Sequence, residues 1–450
     1  MKLRASLALT WVWALLLAFV ACSDDSGTGA DPGVGGSSGS SGTAGSVGSA
    51  GTGGTAGSAA AGSAGSAGTS SGAGGSAGEA AGPDAGGGSS ALTLTQPSPI
   101  ISRGKTVFSS PAGGAAIVDG MYHNGGWSAG SPTAEAPAWA AIQLDAGPTR
   151  LLVVWDDGGS YPYQEDPARM VYGLPLGYHI DVSNDSTNGQ DGTWTSLVTV
   201  LDNNARTRGH SIDFSGQSWV KLVVTAAPAN AANGVSLSEL DVHDISQAGS
   251  ARPEDTWLFM GDSITAFAYD RAALHQPSFA AGINALAPAF FPAMINAGIG
   301  GEKTTEALAR IDQTLLLNPD YHFVILGYGT NDAANAQIPV ASFKANLQTL
   351  IDRVKAAGRV PVLPQIPPAA DGSHESIPAY NTAIDELNAA NDLMAGADLY
   401  GYFSDTPGLF ECGCGPNRTT DNLHPNDEGL KGMNAVWTDA MRPLYPSAGE

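Results

Sequence analysis

Between about Leu92 and Ser246, apolar residues alternate with polar ones or gather in short runs, as in "RLLVVWD", "GYHIDVS", "TWTSLVTV", "HSIDFS" and "WVKLVVTA". Turn-forming clusters such as "NDSTNGQDG" divide these runs. A period of two marks half-buried strands. Strands at this spacing, with no long amphipathic helix among them, predict an antiparallel β-sandwich over residues 92–247.

Beyond Thr256 the pattern changes. "WLFMGDS", "HFVILGYG", "RVPVLPQIP" and "ADLYGYF" read as strands, and they alternate with the helical patterns "EKTTEALARIDQTLL", "SFKANLQTLIDRVKAAG", "SIPAYNTAIDELNAAND" and "NDEGLKGMNAVWTDAM". Parallel strands need crossovers, so this alternation predicts a parallel sheet with helices on both faces, a three-layer α/β/α domain over residues 256–446. In that architecture ligands bind beyond the carboxyl ends of the strands.

Composition changes the picture ahead of these segments. Glycine supplies 59 of the 450 residues, much of it in a Gly/Ser/Ala tract without apolar periodicity. Such a tract cannot bury enough surface to offset the entropy of ordering, so residues 23–91 are expected to be a flexible tether. Its root-mean-square span would be on the order of 45 Å. Before it come "MKLR", an apolar stretch from Ala8 to Val20, and "FVAC". The apolar run is shorter than the roughly 20 residues that span a bilayer. The order resembles a bacterial lipoprotein signal peptide over residues 1–22, with Phe19 in place of the more usual leucine. That resemblance implies lipidation at Cys22, contact with the membrane through the lipid anchor only, and a place in the bacterial cell envelope, at the outer membrane or cell surface.

Charge excludes one class of partner. The formal net charge is −23, and no Lys/Arg cluster reverses it locally, so nucleic acid is not expected to bind. The remaining cysteines, Cys412 and Cys414, sit one residue apart in "FECGCGPN". A bridge between them closes a small strained ring, and a metal would need further soft ligands that are not nearby. A disulfide and two free thiols both stay open.

Candidate chemistry gathers in the second segment. Ser263 leaves the first strand at its carboxyl end in "GDSI". A serine before a helix can be only an N-cap. It becomes a nucleophile if a base adjoins it, and "DNLH" offers His424 with Asp421 three residues before it to fix the tautomer. "NAGIGGEKT" and "GTND" fall at other strand ends. Gly301 could bring a backbone N–H close to a reacting oxygen, and Asn331 an amide. A phosphate cradle at "GIGG" fits less well, because no Lys-Ser/Thr pair follows.

Together "GDSI", "NAGIGGEKT", "GTND" and "DNLH" resemble, in order and spacing, the SGNH (GDSL-type) hydrolases. The resemblance covers the second segment end to end and implies a flavodoxin-like α/β/α fold and ester hydrolysis. It also implies Ser263 as nucleophile, His424 as base and later acid, and Asp421 as its orienting partner. The oxyanion hole would be the backbone N–H groups of Ser263 and Gly301 and the side-chain amide of Asn331, with no metal needed for catalysis. Gly300 and Glu302 stand where Ser and Asp are frequent, which leaves substrate details open.

In the first segment "IVDGMYHNGGW", "AWAAIQLDAGPTRLLVVW", "GYHIDVSNDSTNGQDGTWTSL" and "GVSLSELDVHDI" resemble the discoidin, or coagulation-factor type C, domains. That likeness implies a jelly-roll sandwich serving as a carbohydrate-binding module, with a structural calcium that would fall on Asp119 and Glu239; the alternative is that both carboxylates cap turns. Tyr122, Trp127, Tyr161 and Tyr163 are candidates for stacking on sugar, although Trp127 sits where the family has a core tryptophan. A sugar-binding sandwich ahead of an SGNH domain on a surface tether implies an acetylated polysaccharide as substrate. A lipase or general esterase, and a glycan-binding surface protein without catalysis, are the alternatives.

Overall fold

The computed structural model of the chain describes residues 92–121, 126–157, 173–229, 234–269, 275–369, 371–410 and 421–446. Cys22, Cys412, Cys414, Tyr122, Tyr161, Tyr163 and the tether lie outside the described residues.

Among the described residues ten strands build the first folded part: β1 (Val107–Ser110), β2 (Trp127–Gly130), β3 (Ala138–Gln143), β4 (Arg150–Asp156), β5 (Gly177–Ser183), β6 (Thr195–Val200), β7 (Thr207–Asp213), β8 (Trp219–Ala226), β9 (Val235–Leu237) and β10 (Glu239–Asp244). They form antiparallel sheets in the orders β1-β3-β8-β5-β6, β10-β4-β7 and β2-β9. Alternate residues such as Ile142, Val220 and Ile180 of the five-stranded sheet, and Leu151, Val153 and Val242 of the three-stranded one, share one buried core. Trp127 belongs to that core: it is 1% exposed and its Nε1 donates to the Pro111 carbonyl at 2.8 Å.

In the second folded part a four-stranded parallel sheet has the order β12-β11-β13-β14, from β11 (Thr256–Gly261), β12 (Ala293–Gly298), β13 (Phe323–Gly327) and β14 (Val360–Val362). Among the described residues eight α-helices accompany it: α1 (Ser263–Ala268), α2 (Phe279–Leu286), α3 (Thr304–Leu317), α4 (Thr330–Ala333), α5 (Val340–Ala356), α6 (Ile377–Ala390), α7 (Leu399–Asp405) and α8 (Asp427–Met441). The pleat sorts the strand residues between two cores. Leu258, Met260 and Ile295 pack with α3, α5 and α6, whereas Trp257, Phe259 and Ile325 pack with α1, α2 and α8. The result is a parallel sheet between two helical layers, as the alternation predicts.

One predicted element differs. "ADLYGYF", expected as a strand, forms helix α7, because Asp398 caps it by accepting from the Gly401 N–H at 2.8 Å. Among the described residues, an isolated bridge between Leu363 and Ala395 extends the sheet on that side.

The two folded parts are joined by more than the chain between them. Leu152, Val154 and Ile245 bury Ala293 of β12, and the Ser211 N–H donates to Asp320 Oδ2 at 3.0 Å. The segment before β1 also straps onto the second part. Leu94 donates to the Leu444 carbonyl at 2.7 Å, and Ser98 reaches the buried Asp255 carboxylate.

Candidate active site

Strand β11 is buried throughout and ends at Gly261, so the next residues emerge at its carboxyl end. Asp262, not Ser263, is the N-cap of α1: its side chain accepts from the Ile264 N–H at 3.0 Å. The serine hydroxyl is therefore not used as a cap, and Oγ lies 2.7 Å from Nε2 of His424. Asp262 is fully enclosed, and burial pushes its acid up to about 6 against the opposing pull of the Ile264 N–H, the Thr330 hydroxyl and His424.

The other half of the pair comes from one tight turn before α8. His424 Nδ1 lies 2.6 Å from Asp421 Oδ2, while Asp421 Oδ1 accepts the backbone N–H groups of Leu423 and His424, each at 3.0 Å. Asn422 takes the left-handed conformation, φ 52°, that an asparagine tolerates and that folds the carboxylate back over its own turn. Burial alone would raise the Asp421 acid. The hydrogen bond from the His424 ring, then those from the two backbone N–H groups, outweigh it and hold the acid at about 2. An ionised carboxylate on Nδ1 places the ring proton there, which leaves Nε2 to accept from the serine hydroxyl. The Phe267 ring meets the imidazole edge to face at 5.3 Å.

The two loops expected to supply further donors reach the same end of the sheet. At the end of β12 a Cβ on Gly298 would lie 2.5 Å from the Ala266 nitrogen, so glycine is what lets α1 lie against this strand. Ile299 then donates to the Gly261 carbonyl at 2.9 Å, and Gly301 turns the chain at φ 75° with no heavy atom within 4 Å of where a Cβ would stand. Its backbone thus borders open space. Asn331, in α4 after β13, donates through Nδ2 to the Glu302 carbonyl at 3.1 Å. Asp332 beside it accepts from the Thr304 N–H at 3.1 Å.

Two residues at this end, Arg310 and Tyr328, escaped the sequence reading, and Glu302 was read only as a departure from the usual loop residue. The Glu302 carboxylate takes Arg310 Nε and Nη2, each at 2.6 Å, and the Tyr328 hydroxyl at 2.8 Å. Their signal lies in the spacing: an acidic residue in a Gly-rich loop, with an arginine eight residues on in the helix that follows.

The pair expected to hold calcium has other partners. Asp119 Oδ1 accepts from the Met121 N–H at 2.8 Å, as a turn cap does. Glu239 is 1% exposed and carries the Arg103 guanidinium on Oε1, with the Gly120 N–H at 3.2 Å on the same oxygen. Arg103 also pairs with Asp241 at 3.0 Å. The Arg103 guanidinium thus lies between Glu239 and Asp241, while Asp119 caps its own turn. Among the described residues no three His, Cys, Asp or Glu side chains gather to hold a metal.

Residues 259–431 match the model of the GDSL-like Lipase/Acylhydrolase family, so this part of the chain is a GDSL-type hydrolase domain. Similar solved structures include a lipase/acylhydrolase from Enterococcus faecalis, 25% identical, covering 42% of this chain and 95% of that one with a TM-score of 0.34. An acetylxylan esterase from Geobacillus stearothermophilus is 16% identical, with 42% and 94% covered and a TM-score of 0.33. An alpha/beta hydrolase from the metagenome of Lake Arreo, Spain, is 17% identical, with 42% and 96% covered and a TM-score of 0.34. No curated protein matches the chain.

Proposed function

We propose that the protein is a secreted, lipid-anchored serine esterase that hydrolyses O-acyl esters on polysaccharide, foremost O-acetyl esters, through an acyl-enzyme intermediate. The observation that carries this reading is the unbroken run of contacts from Ser263 Oγ to His424 Nε2 at 2.7 Å and from His424 Nδ1 to Asp421 Oδ2 at 2.6 Å, at the carboxyl end of a parallel sheet.

The steps follow from that geometry. Ser263 Oγ attacks the ester carbonyl carbon as its proton passes to His424 Nε2. The carbonyl oxygen takes up negative charge and is met by the N–H groups of Ser263 and Gly301 and the amide of Asn331. Asp421 stabilises the imidazolium that has formed. The imidazolium then gives its proton to the departing sugar oxygen, the carbon–oxygen bond breaks, and the acyl group remains on Ser263. Water, deprotonated by His424, attacks the acyl carbon, and the proton returns to Oγ as the acid leaves.

The polysaccharide half of the reading is supported by the antiparallel part that packs directly on the hydrolase domain. A polymer held on that part would meet the serine at a fixed distance, without the loss of local concentration that a loose linker brings. The tether and the Cys22 anchor supply attachment to the envelope.

Acetate release from a panel of acetylated polysaccharides, by the full chain and by Ser263→Ala, tests the reading. Release from at least one polymer that the variant abolishes is the expected result. Turnover of aryl acetates with silence on every polymer would leave an esterase and remove the polysaccharide.

A further inference from the structure

An asparagine amide can serve a reacting oxygen only if its nitrogen, not its oxygen, faces the site. Nothing in the amide itself decides this, since the two ends have nearly the same shape. At Asn331 the deciding partner is the main-chain carbonyl of Glu302. A carbonyl can only accept, so the group 3.1 Å from it must be Nδ2. One N–H of that nitrogen is then engaged, and the second is left for a substrate oxygen.

The Glu302 carbonyl is in turn held by the residue's own side chain. Glu302 is 6% exposed, and its two carboxylate oxygens are forked by Arg310 with Nε on Oε1 and Nη2 on Oε2. The Tyr328 hydroxyl donates to Oε2 at 2.8 Å and accepts from Arg310 Nη2 at 3.0 Å. Arg310 Nη2 also donates to the Ala297 carbonyl of β12 at 2.8 Å. The clamp thus joins α3, the end of β12 and the residue that follows β13, and the Gly301–Glu302 turn is suspended between them. A bidentate guanidinium fixes direction as well as distance, which a point charge would not.

We propose that Glu302 is a positioning residue for ester hydrolysis: its carboxylate, clamped by Arg310 and Tyr328, sets the Glu302 carbonyl that aims the Asn331 amide at the reacting oxygen. This rests on the reading of Asn331 as an oxyanion donor. Glu302 touches no reacting atom and acts through Asn331.

The test is a pair of double-mutant cycles read in kcat and KM on an aryl acetate, with thermal unfolding recorded for each variant. Glu302→Gln keeps the shape but sets an N–H against a donor of Arg310 or Tyr328. Tyr328→Phe removes a single hydroxyl and keeps the ion pair, so it reports even if the first variant folds poorly. Each should lower kcat, Glu302→Gln by on the order of 10- to 100-fold and Tyr328→Phe by less, with KM within about twofold. In an Asn331→Ala background, itself down roughly 100- to 1000-fold, the same changes should cost less than about threefold, because the group they aim is gone. Equal losses in both backgrounds would overturn the proposal, since a merely structural clamp acts whether or not the amide is present. An Asn331→Ala enzyme as fast as the parent would remove the oxyanion reading itself, and with it the proposal.

Discussion

Asp421 holds His424 with one carboxylate oxygen and its own turn with the other: Oδ2 lies 2.6 Å from Nδ1, and Oδ1 accepts two backbone N–H groups at 3.0 Å. The carboxylate cannot swing away without losing both backbone bonds, so the imidazole is presented to Ser263 in one tautomer and one orientation. Asp421→Asn keeps the size of the side chain but can place an N–H against Nδ1, which favours the wrong tautomer. The expected result is a fall in kcat of on the order of 10³- to 10⁴-fold with little change in KM. A loss below tenfold in aryl acetate turnover would show that Asp421 does not orient the base.

Helix α1 is capped by Asp262, so the proposed nucleophile can be removed without removing a cap. Ser263→Ala is expected to abolish turnover and to leave the unfolding midpoint within a few degrees of the parent. Asp262→Ala, by contrast, takes away a cap worth about 1 kcal/mol and should lower the midpoint visibly at about pH 4, where the raised Asp262 acid is neutral and its burial no longer offsets the cap. Thermal melts of the two variants side by side decide it; a serine variant as destabilised as the aspartate variant would return Ser263 to a structural role.

Most of the framework was legible in the chain. Strands β4, β5 and β8 coincide with "RLLVVWD", "GYHIDVS" and "WVKLVVTA", where β-branched and aromatic residues make the pattern plain. Strand β12, "AMINAG", was not, because alanine, glycine and asparagine have little strand preference and its burial comes from neighbours on both sides. Helix α7 misled in the opposite way, since tyrosine, leucine and phenylalanine read as strand until the Asp398 cap is seen. At the site, the four loops were legible as motifs, but the choice between cap and nucleophile for Ser263 was not. It depends on which of two adjacent side chains turns back to the helix, a matter of backbone angles. The Glu302 clamp was hidden for a related reason: its members lie on a loop, a helix and a strand end that only the closed sheet brings together.

The acid side of the activity profile separates two groups near Ser263. Asp421, held at about 2, stays charged over the working range and cannot produce the limb. Asp262, pushed up to about 6 by burial, changes charge there and lies next to the serine. Asparagine caps helices as well as aspartate does, so Asp262→Asn removes this titration and keeps the cap. If the limb is protonation of the His424 base, the variant should retain it, with activity still falling toward acid pH. A profile of kcat/KM that becomes flat in the variant would assign the limb to Asp262.

Asp255 permits a pH prediction away from the chemistry. It is buried where the leading segment meets the hydrolase domain, and it accepts from Trp257 Nε1 at 2.9 Å, the Tyr445 hydroxyl at 2.8 Å and the Ser98 hydroxyl at 3.3 Å. Burial pushes its acid from 3.8 up to about 6, although those three donors pull it down. The folded state therefore binds the proton more tightly than the unfolded chain. Its stabilising contribution is fully present below about pH 4 and is lost as the pH rises through 6, to the extent of roughly 3 kcal/mol. Asp255→Asn is neutral at every pH and can still accept from tryptophan and tyrosine, so it should gain stability relative to the parent between pH 4 and pH 7 by about that amount. Urea unfolding of both proteins at the two pH values measures the difference. Parallel stability curves would mean that Asp255 ionises as readily in the folded protein as in the unfolded chain.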